Sequence, residues 1–302
     1  WAPDRLPASI EALFARVLKS ADALKREPVS NWDGVLGKGN MPDSCRPTLY
    51  DLAVHYIIDF YGRTIPDKTL EKGLKLLDDL IAFHSADGNA DALADATLRR
   101  LHYVNSFTRL PPKAREAKRI AALEDYIAAW TGKSSVVALA VYERAEIDQA
   151  AGRLVAARER ALQGAARWPE SVGGRQCAAL VQRIEQPTLA LEAERIWAKP
   201  LPKISVKAAN MDTVHFKLVK VSPSDMVNFG CRLYWFPGRE DKFKELCRGM
   251  GVRTWFTQLE HFTDYAVHTT EVDPPTDVPN GQYLLVAGMD DKFDKDGKRR
   301  TW

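Results

Sequence analysis

Near residue 50 three potential metal ligands recur at a fixed interval. Asp51, His55 and Asp59 stand at i, i+4 and i+8, a spacing that sets all three along one side of a helix. Ligation needs a fourth group and an open coordination position. The spacing favours a plainer reading: a solvated stripe opposite the apolar face, with His55 paired to a carboxylate, because charge pairs at i, i+4 are commonplace on helices. A second neighbourhood gathers Glu260, His261, Asp264 and His268 around an expected strand pair. Imidazole beside carboxylate is the pairing that general-base hydrolysis uses, yet no motif places a nucleophile there. The run Asp290-Asp291-Lys292-Phe293-Asp294-Lys295-Asp296-Gly297 carries acidic residues ahead of a glycine, as calcium loops do. Aligning Gly297 as the loop glycine puts Lys292 in the first ligand position and leaves no acidic residue downstream, so the run reads as a charged turn.

The motifs of other chemistries are missing from the sequence. It has no lipase-type G-x-S-x-G, no phosphate-binding G-x-x-x-x-G-K-[ST], no dinucleotide-binding G-x-G-x-x-G and no H-E-x-x-H. The four cysteines, Cys45, Cys177, Cys231 and Cys247, include no C-x-x-C pair, which leaves zinc ribbons and thioredoxin-type redox sites unsupported. At this density they read as ordinary thiols. Cys231 and Cys247 nevertheless share one irregular stretch and are placed to bridge in an oxidising compartment. Eight tryptophans are scattered singly, which suits packing rather than a ligand-stacking stripe. The sequence therefore assigns no catalytic residue, no cofactor and no metal ligand, and the chain reads as non-enzymatic.

Two kinds of framework must position these side chains, and 302 residues is the length of about two domains. Alanine occurs 34 times in residues 1–200 and 4 times in residues 201–302, and alanine favours helix, so the change marks a change of fold class. The break is expected at 197–198, where Pro200 and Pro202 stop any helix. Residues 1–197 read as an all-helical antiparallel domain. Ser9 is placed to cap a helix with apolar face Ile10, Leu13, Phe14, Val17 and Leu18. Glycines and Pro42 make 31–46 a loop, and Thr48 with Asp51 then forms a capping-box variant that starts a helix to about Tyr61. Further helices are expected at about 66–84, 89–106, 113–130, 134–149, 152–167 and 173–185. Residues 138–171 fit one degenerate tetratricopeptide-like hairpin, with Ala145, Gly152, Ala157 and Pro169 in place and the large aromatic positions unmatched.

Residues 198–302 switch to a period of two. Ile204, Val206 and Ala208 alternate with lysine and serine, and Val214, Phe216 and Leu218 follow after the turn Asn210-Met211-Asp212. Further strands are expected at 231–236, 252–260, 265–272 and 281–289, with a helical turn within 238–250. Six short strands without intervening helices argue for a β-sandwich. No apolar run is long enough to span a bilayer. Basic and acidic residues number 28 and 26 up to residue 200 and 15 and 14 beyond it, so neither part carries the basic excess usual for nucleic-acid binding.

Four stretches together resemble one family. Arg167-Trp168-Pro169-Glu170-Ser171-Val172-Gly173-Gly174-Arg175-Gln176-Cys177, followed by Leu180 and Ile184, is similar to the segment before the first macroglobulin domain of large bacterial, Bacteroidetes-type α2-macroglobulin-like proteins. Pro47 to His55 resembles an early helix of that family. Ile204 to Val221, with Asn210 in its turn, and Pro279 to Ala287 resemble its strands. The resemblance implies a helical N-terminal domain followed by the first of a series of macroglobulin or fibronectin-like sandwiches. It implies an exported protein of the periplasm, outer membrane or cell surface that traps proteases. It also implies that the partners are the rest of one long polypeptide and a target protease or envelope protein. The family's thioester needs Cys-x-Glu-Gln. Cys177 is followed by Ala178-Ala179-Leu180, and Glu185-Gln186 has no cysteine two places before it, so this stretch would be scaffold. The start at Trp1 and the polar run to Trp302 suggest a piece of a longer chain, with a last sandwich strand expected beyond residue 302. The other reading is a helical-repeat adaptor that binds a peptide or protein in a groove.

Overall fold

The computed structural model describes residues 8–36, 41–63, 66–222, 249–291 and 293. It is a mixed α/β fold, about 53% helical, with two small antiparallel sheets. Two compact units divide it, Trp1–Val181 and Gln182–Trp302. The expected break at 197–198 falls inside the second unit.

The first unit begins with α1 (Ala8–Leu18) and α2 (Ala21–Leu24). Ser9 lies inside the first turn of α1 instead of capping it. Leu13 faces solvent, while Phe14 is buried. The expected loop over 31–46 is partly helical. A 3-10 turn, Val29–Trp32, leads into the short helix α3 (Asp33–Leu36). The Glu27 carboxylate organises that turn by accepting from Asn31 Nδ2 at 3.2 Å and Trp32 Nε1 at 3.0 Å. Pro28 also bridges to Thr48, which ties the turn to the next helix.

That helix, α4 (Leu49–Arg63), starts on the expected capping box. The Asp51 carboxylate accepts from Thr48 N at 2.9 Å and Thr48 Oγ1 at 2.7 Å, while Asp51 N points back to Thr48 Oγ1 at 3.4 Å. Two free backbone donors of the first turn are thereby supplied with partners. Next come α5 (Pro66–Asp87), α6 (Ala90–Ser106) and α7 (Pro112–Trp130). Asn89 caps α6 by accepting from Ala92 N. Phe14, Val54, Ile57, Ile58, Tyr61, Leu77 and Leu80 form the core shared by α1, α4 and α5. A Cβ at Gly73 would lie 2.1 Å from the Tyr103 hydroxyl, so the close approach of α5 and α6 needs glycine there.

The unit continues with α8 (Val137–Ala150), α9 (Leu154–Arg167) and most of α10 (Val172–Glu185), whose last turn, from Gln182, belongs to the second unit. Gly152 makes the turn between α8 and α9 at φ +76°, a conformation that costs a side-chain-bearing residue strain. A Cβ on Gly173 would sit 2.3 Å from the Ala138 backbone, which lets α10 lie directly on α8. The hairpin expected at 138–171 is present, but no tetratricopeptide-like repeat is confirmed.

Six strands are described in the second unit: β1 (Thr188–Glu192), β2 (Ile204–Ala209), β3 (Thr213–Lys220), β4 (Arg253–Gln258), β5 (His268–Val272) and β6 (Tyr283–Gly288). They form two three-stranded antiparallel sheets, ordered β1-β2-β5 and β4-β3-β6. β1 was not among the expected strands. It pairs with β2 from Thr188↔Ala209 to Glu192↔Ser205, which draws 188–192 into the sheet unit. Asn210 turns β2 into β3 at φ 58° and donates from Nδ2 to the carbonyls of Ile184 (2.7 Å) and Gln186 (3.1 Å). The inward positions of both sheets supply one apolar cluster: Leu189, Leu191, Ile204, Val206 and Val272 from one, Val214, Phe216 and Ala287 from the other. No macroglobulin sandwich is confirmed by this arrangement. The strand expected at 231–236, most of the helical turn expected at 238–250, the Cys231 and Cys247 pair and the end of the chain lie outside the described residues.

Candidate functional site

The stripe on α4 is not a solvated one. Asp51 and His55 are 1% and 5% exposed, while Asp59 faces solvent and pairs with Arg99. The reason is helical geometry: each four-residue step turns about 40° further round the axis. A stripe that begins beside Val54 and Ile58 in the core therefore leaves it by the third residue. The expected carboxylate partner of His55 exists and comes from another helix. Asp95 of α6 meets His55 Nε2 at 3.2 Å and Arg46 Nε at 2.8 Å. Burial would raise the Asp95 pKa, but the hydrogen bonds and charge of its His55 and Arg46 partners outweigh it and hold the group down at about 2.

Asp51 has a partner that the sequence pattern did not reveal. His84 of α5 is fully buried, with Nε2 2.7 Å from Asp51 Oδ1 and Nδ1 2.9 Å from Asp87 Oδ2. Burial alone would lower the His84 pKa, yet the two carboxylates prevail and raise it. One signal for this residue was present in the sequence: His84 lies on the stripe of Leu77 and Leu80, at spacings of seven and four residues. A third buried carboxylate, Asp148 at the end of α8, holds Arg144 and Arg153, each at 2.7 Å. Burial opposes its ionisation, and the arginines win, lowering its pKa. These three centres join helices. Among the described residues, no group of three or more His, Cys, Asp or Glu is arranged to hold a metal ion.

The second neighbourhood does assemble in the β unit. His261 Nδ1 lies 2.6 Å from Asp212 Oδ1, and His268 Nε2 lies 2.9 Å from Asp264 Oδ1. The Phe262 ring stacks on His268 at 3.6 Å between centroids. The two imidazoles and Glu260 line one pocket at the β2–β3 turn, with an interior of about 20 Å³, room for about one water. Carboxylate-oriented imidazoles can act as bases. Among the described residues, however, no hydroxyl or thiol is hydrogen-bonded to either ring. The thiols of Cys45 and Cys177 are buried elsewhere, and burial pushes both up to about 11.

A wider opening lies between α6 and α7. It measures about 400 Å³ and is lined by Leu101 and Val104 from α6 and by Ala122, Tyr126, Ala129 and Trp130 from α7. The two helices splay here, while α5 and α6 pack closely along their length. Lys118 and Arg119 line the end nearer the α7 N-terminus, and Asp125 lies further along. Tyr126 is fixed by donating its hydroxyl to Ala94 O at 2.9 Å, so its ring forms part of a preset wall. The adaptor reading expected a groove but did not place it, because it arises from a gap between elements rather than from a motif.

No known protein family, characterised protein or solved structure matches the chain.

Proposed function

We propose that the chain is a non-catalytic scaffold module of an exported, bacterial α2-macroglobulin-like protease inhibitor. One observation carries the proposal beyond the sequence resemblance: a helical unit is followed by two three-stranded antiparallel sheets whose inner faces contribute to one apolar core. That order of parts supports a helical domain leading into a sandwich of macroglobulin or fibronectin-like type. The exposure of the His261–Asp212 pair supports its reading as a solvated surface feature. The reading frame downstream of Trp302 tests the proposal. Further sandwich domains of ~100 residues each are expected there. A frame that closes within a few codons overturns it. Hydrolysis of a protease, glycosidase or esterase substrate that disappears in His261→Ala would overturn the non-catalytic part.

A second reading, a helical adaptor that binds a peptide or protein, is favoured by the α6–α7 groove. The Ala122→Trp variant fills the floor of that groove. It removes partner binding under the adaptor reading and changes nothing under the scaffold reading.

A further inference from the structure

The groove sits beside the most uneven charge in the helical unit. Residues 109–119 contain Arg109, Lys113, Arg115, Lys118 and Arg119 against the single carboxylate of Glu116. That is five minus one, or +4, in eleven residues, against +3 for all 302. Arg119 is held by Glu143 at 3.2 Å. Lys113, Arg115 and Lys118 lie on the exposed first turns of α7 and have no ion-pair partner among the described residues. Arg119 Nε is also buried without a hydrogen-bond acceptor. A buried donor of that kind costs stability unless something accepts from it.

The shape fixes the size of an occupant. The lining on α6 runs from Thr97 to Asn105, nine residues, which spans about 12 Å at 1.5 Å per residue. That is the length of about two helical turns, or of about four extended residues. The walls are apolar and partly aromatic, so they suit leucine-sized side chains. Of the basic residues in the lining, Arg100 is paired with Asp78, while Lys118 and Arg119 stand at one end, so that end suits carboxylates placed beside those anchors rather than among them. A nucleic acid would need a continuous basic track, and this groove offers Leu101, Val104, Ala122 and Ala129 between its charges.

We propose that the α6–α7 groove receives an acidic amphipathic segment of another protein, its apolar side chains seated between the helices and its carboxylates on Arg115, Lys118 and Arg119. This inference rests on the adaptor reading and names its partner class. Apolar contact supplies the anchoring, and the basic turns of α7 select the sign of the partner and speed its approach.

The test uses the full chain and a fluorescein-labelled peptide of roughly 16 residues, with leucines at i, i+3, i+4 and i+7 and glutamates elsewhere. One control peptide replaces every glutamate by lysine, and a second replaces every leucine by serine. The acidic amphipathic peptide is expected to bind, as read by anisotropy, and both controls to bind at least about tenfold more weakly. The Arg115→Glu/Lys118→Glu variant should lower affinity about tenfold or more, and added salt should weaken the wild-type complex. Ala122→Trp should abolish binding while leaving the circular dichroism spectrum unchanged. Equal binding of the lysine peptide, or no effect of the charge reversals, overturns the acidic partner and leaves the adaptor reading standing. No binding of any peptide to the folded chain overturns both. Tighter binding of a single-stranded RNA oligomer that Ala122→Trp abolishes overturns the proposal in favour of nucleic acid. A dimer in sedimentation that Ala122→Trp dissolves overturns it in favour of a second copy of the chain.

Discussion

The two units use the same pair of residue types in opposite ways. In the helical unit, His84 is clasped between Asp51 and Asp87, and His55 rests on Asp95, with His84, Asp51, His55 and Asp95 all within 5% exposure. In the sheet unit, the pair of His261 and Asp212 has side chains 69% and 63% exposed, and among the described residues the core is apolar apart from Lys217, which reaches Gly249 O. The difference follows from how each element hides its backbone. A helix satisfies its own backbone and shows only a stripe of side chains, so three helices meeting at angles leave gaps that long polar groups can bridge. Two facing sheets interdigitate alternate residues at a fixed spacing, and a charge placed there has no room for a partner. Imidazole beside carboxylate is therefore a structural joint in one unit and a solvated surface feature in the other.

The sharpest break of that contrast is Asp51→Ala. It strands a buried imidazole and removes the carboxylate half of the α4 capping box, so the helical unit should lose about 3–5 kcal/mol, with the capping box accounting for about 1 or less. Denaturant unfolding followed at 222 nm measures this, and a loss below about 1 kcal/mol would show that the joint is not structural. The sheet unit should respond comparably only to a change in its apolar core. Phe216→Ala, at a fully buried ring stacked on Trp255, should cost about 3–5 kcal/mol.

Acid should separate the units next. Asp95 is held down at about 2 against an ordinary 3.8, so its contribution is complete above about pH 4 and fades as pH falls towards 2. The difference corresponds to about 2 kcal/mol, and Asp95→Asn should flatten the acid limb of the helical transition. His84 works in the other direction. Its pKa is raised, so its stabilisation is fully present below about 6.5 and is lost as pH rises through the folded value. His84→Gln should remove that alkaline slope. The smallest effect belongs to the surface. His261→Ala should shift stability by no more than about 0.5 kcal/mol, as exposed ion pairs do. A larger loss would mean that the pocket at the β2–β3 turn has a structural part to play.

Much of the framework was legible along the chain. The helices from α4 to α10 and strands β2 to β6, wherever described, lie within a few residues of their expected positions, because apolar periodicity and local caps are written in consecutive residues. Thr48 and Asp51 needed only a three-residue spacing to be recognised as a cap. The strand β1 escaped because five residues following a helix carry only Leu189 and Leu191 as inward positions, too short a pattern to stand without β2 beside it. Asp51 and His55 were assigned to solvent because spacing gives the side of a helix but not what packs against it.

Sequence by itself determined the helix-to-sheet order, the turn at Asn210 and the capping box at Thr48. Each of these is a local matter of propensity and of hydrogen bonds within a few residues. Tertiary structure alone decided which carboxylate meets which histidine. Asp51 and His84 are thirty-three residues apart, and His55 and Asp95 are forty. It also decided that α6 and α7 part into a groove, and that the basic run of 109–119, itself plain in the sequence, lies beside that groove. Such features depend on the angles and distances between packed helices, which the summed shapes of buried side chains set and which no stretch of consecutive residues encodes.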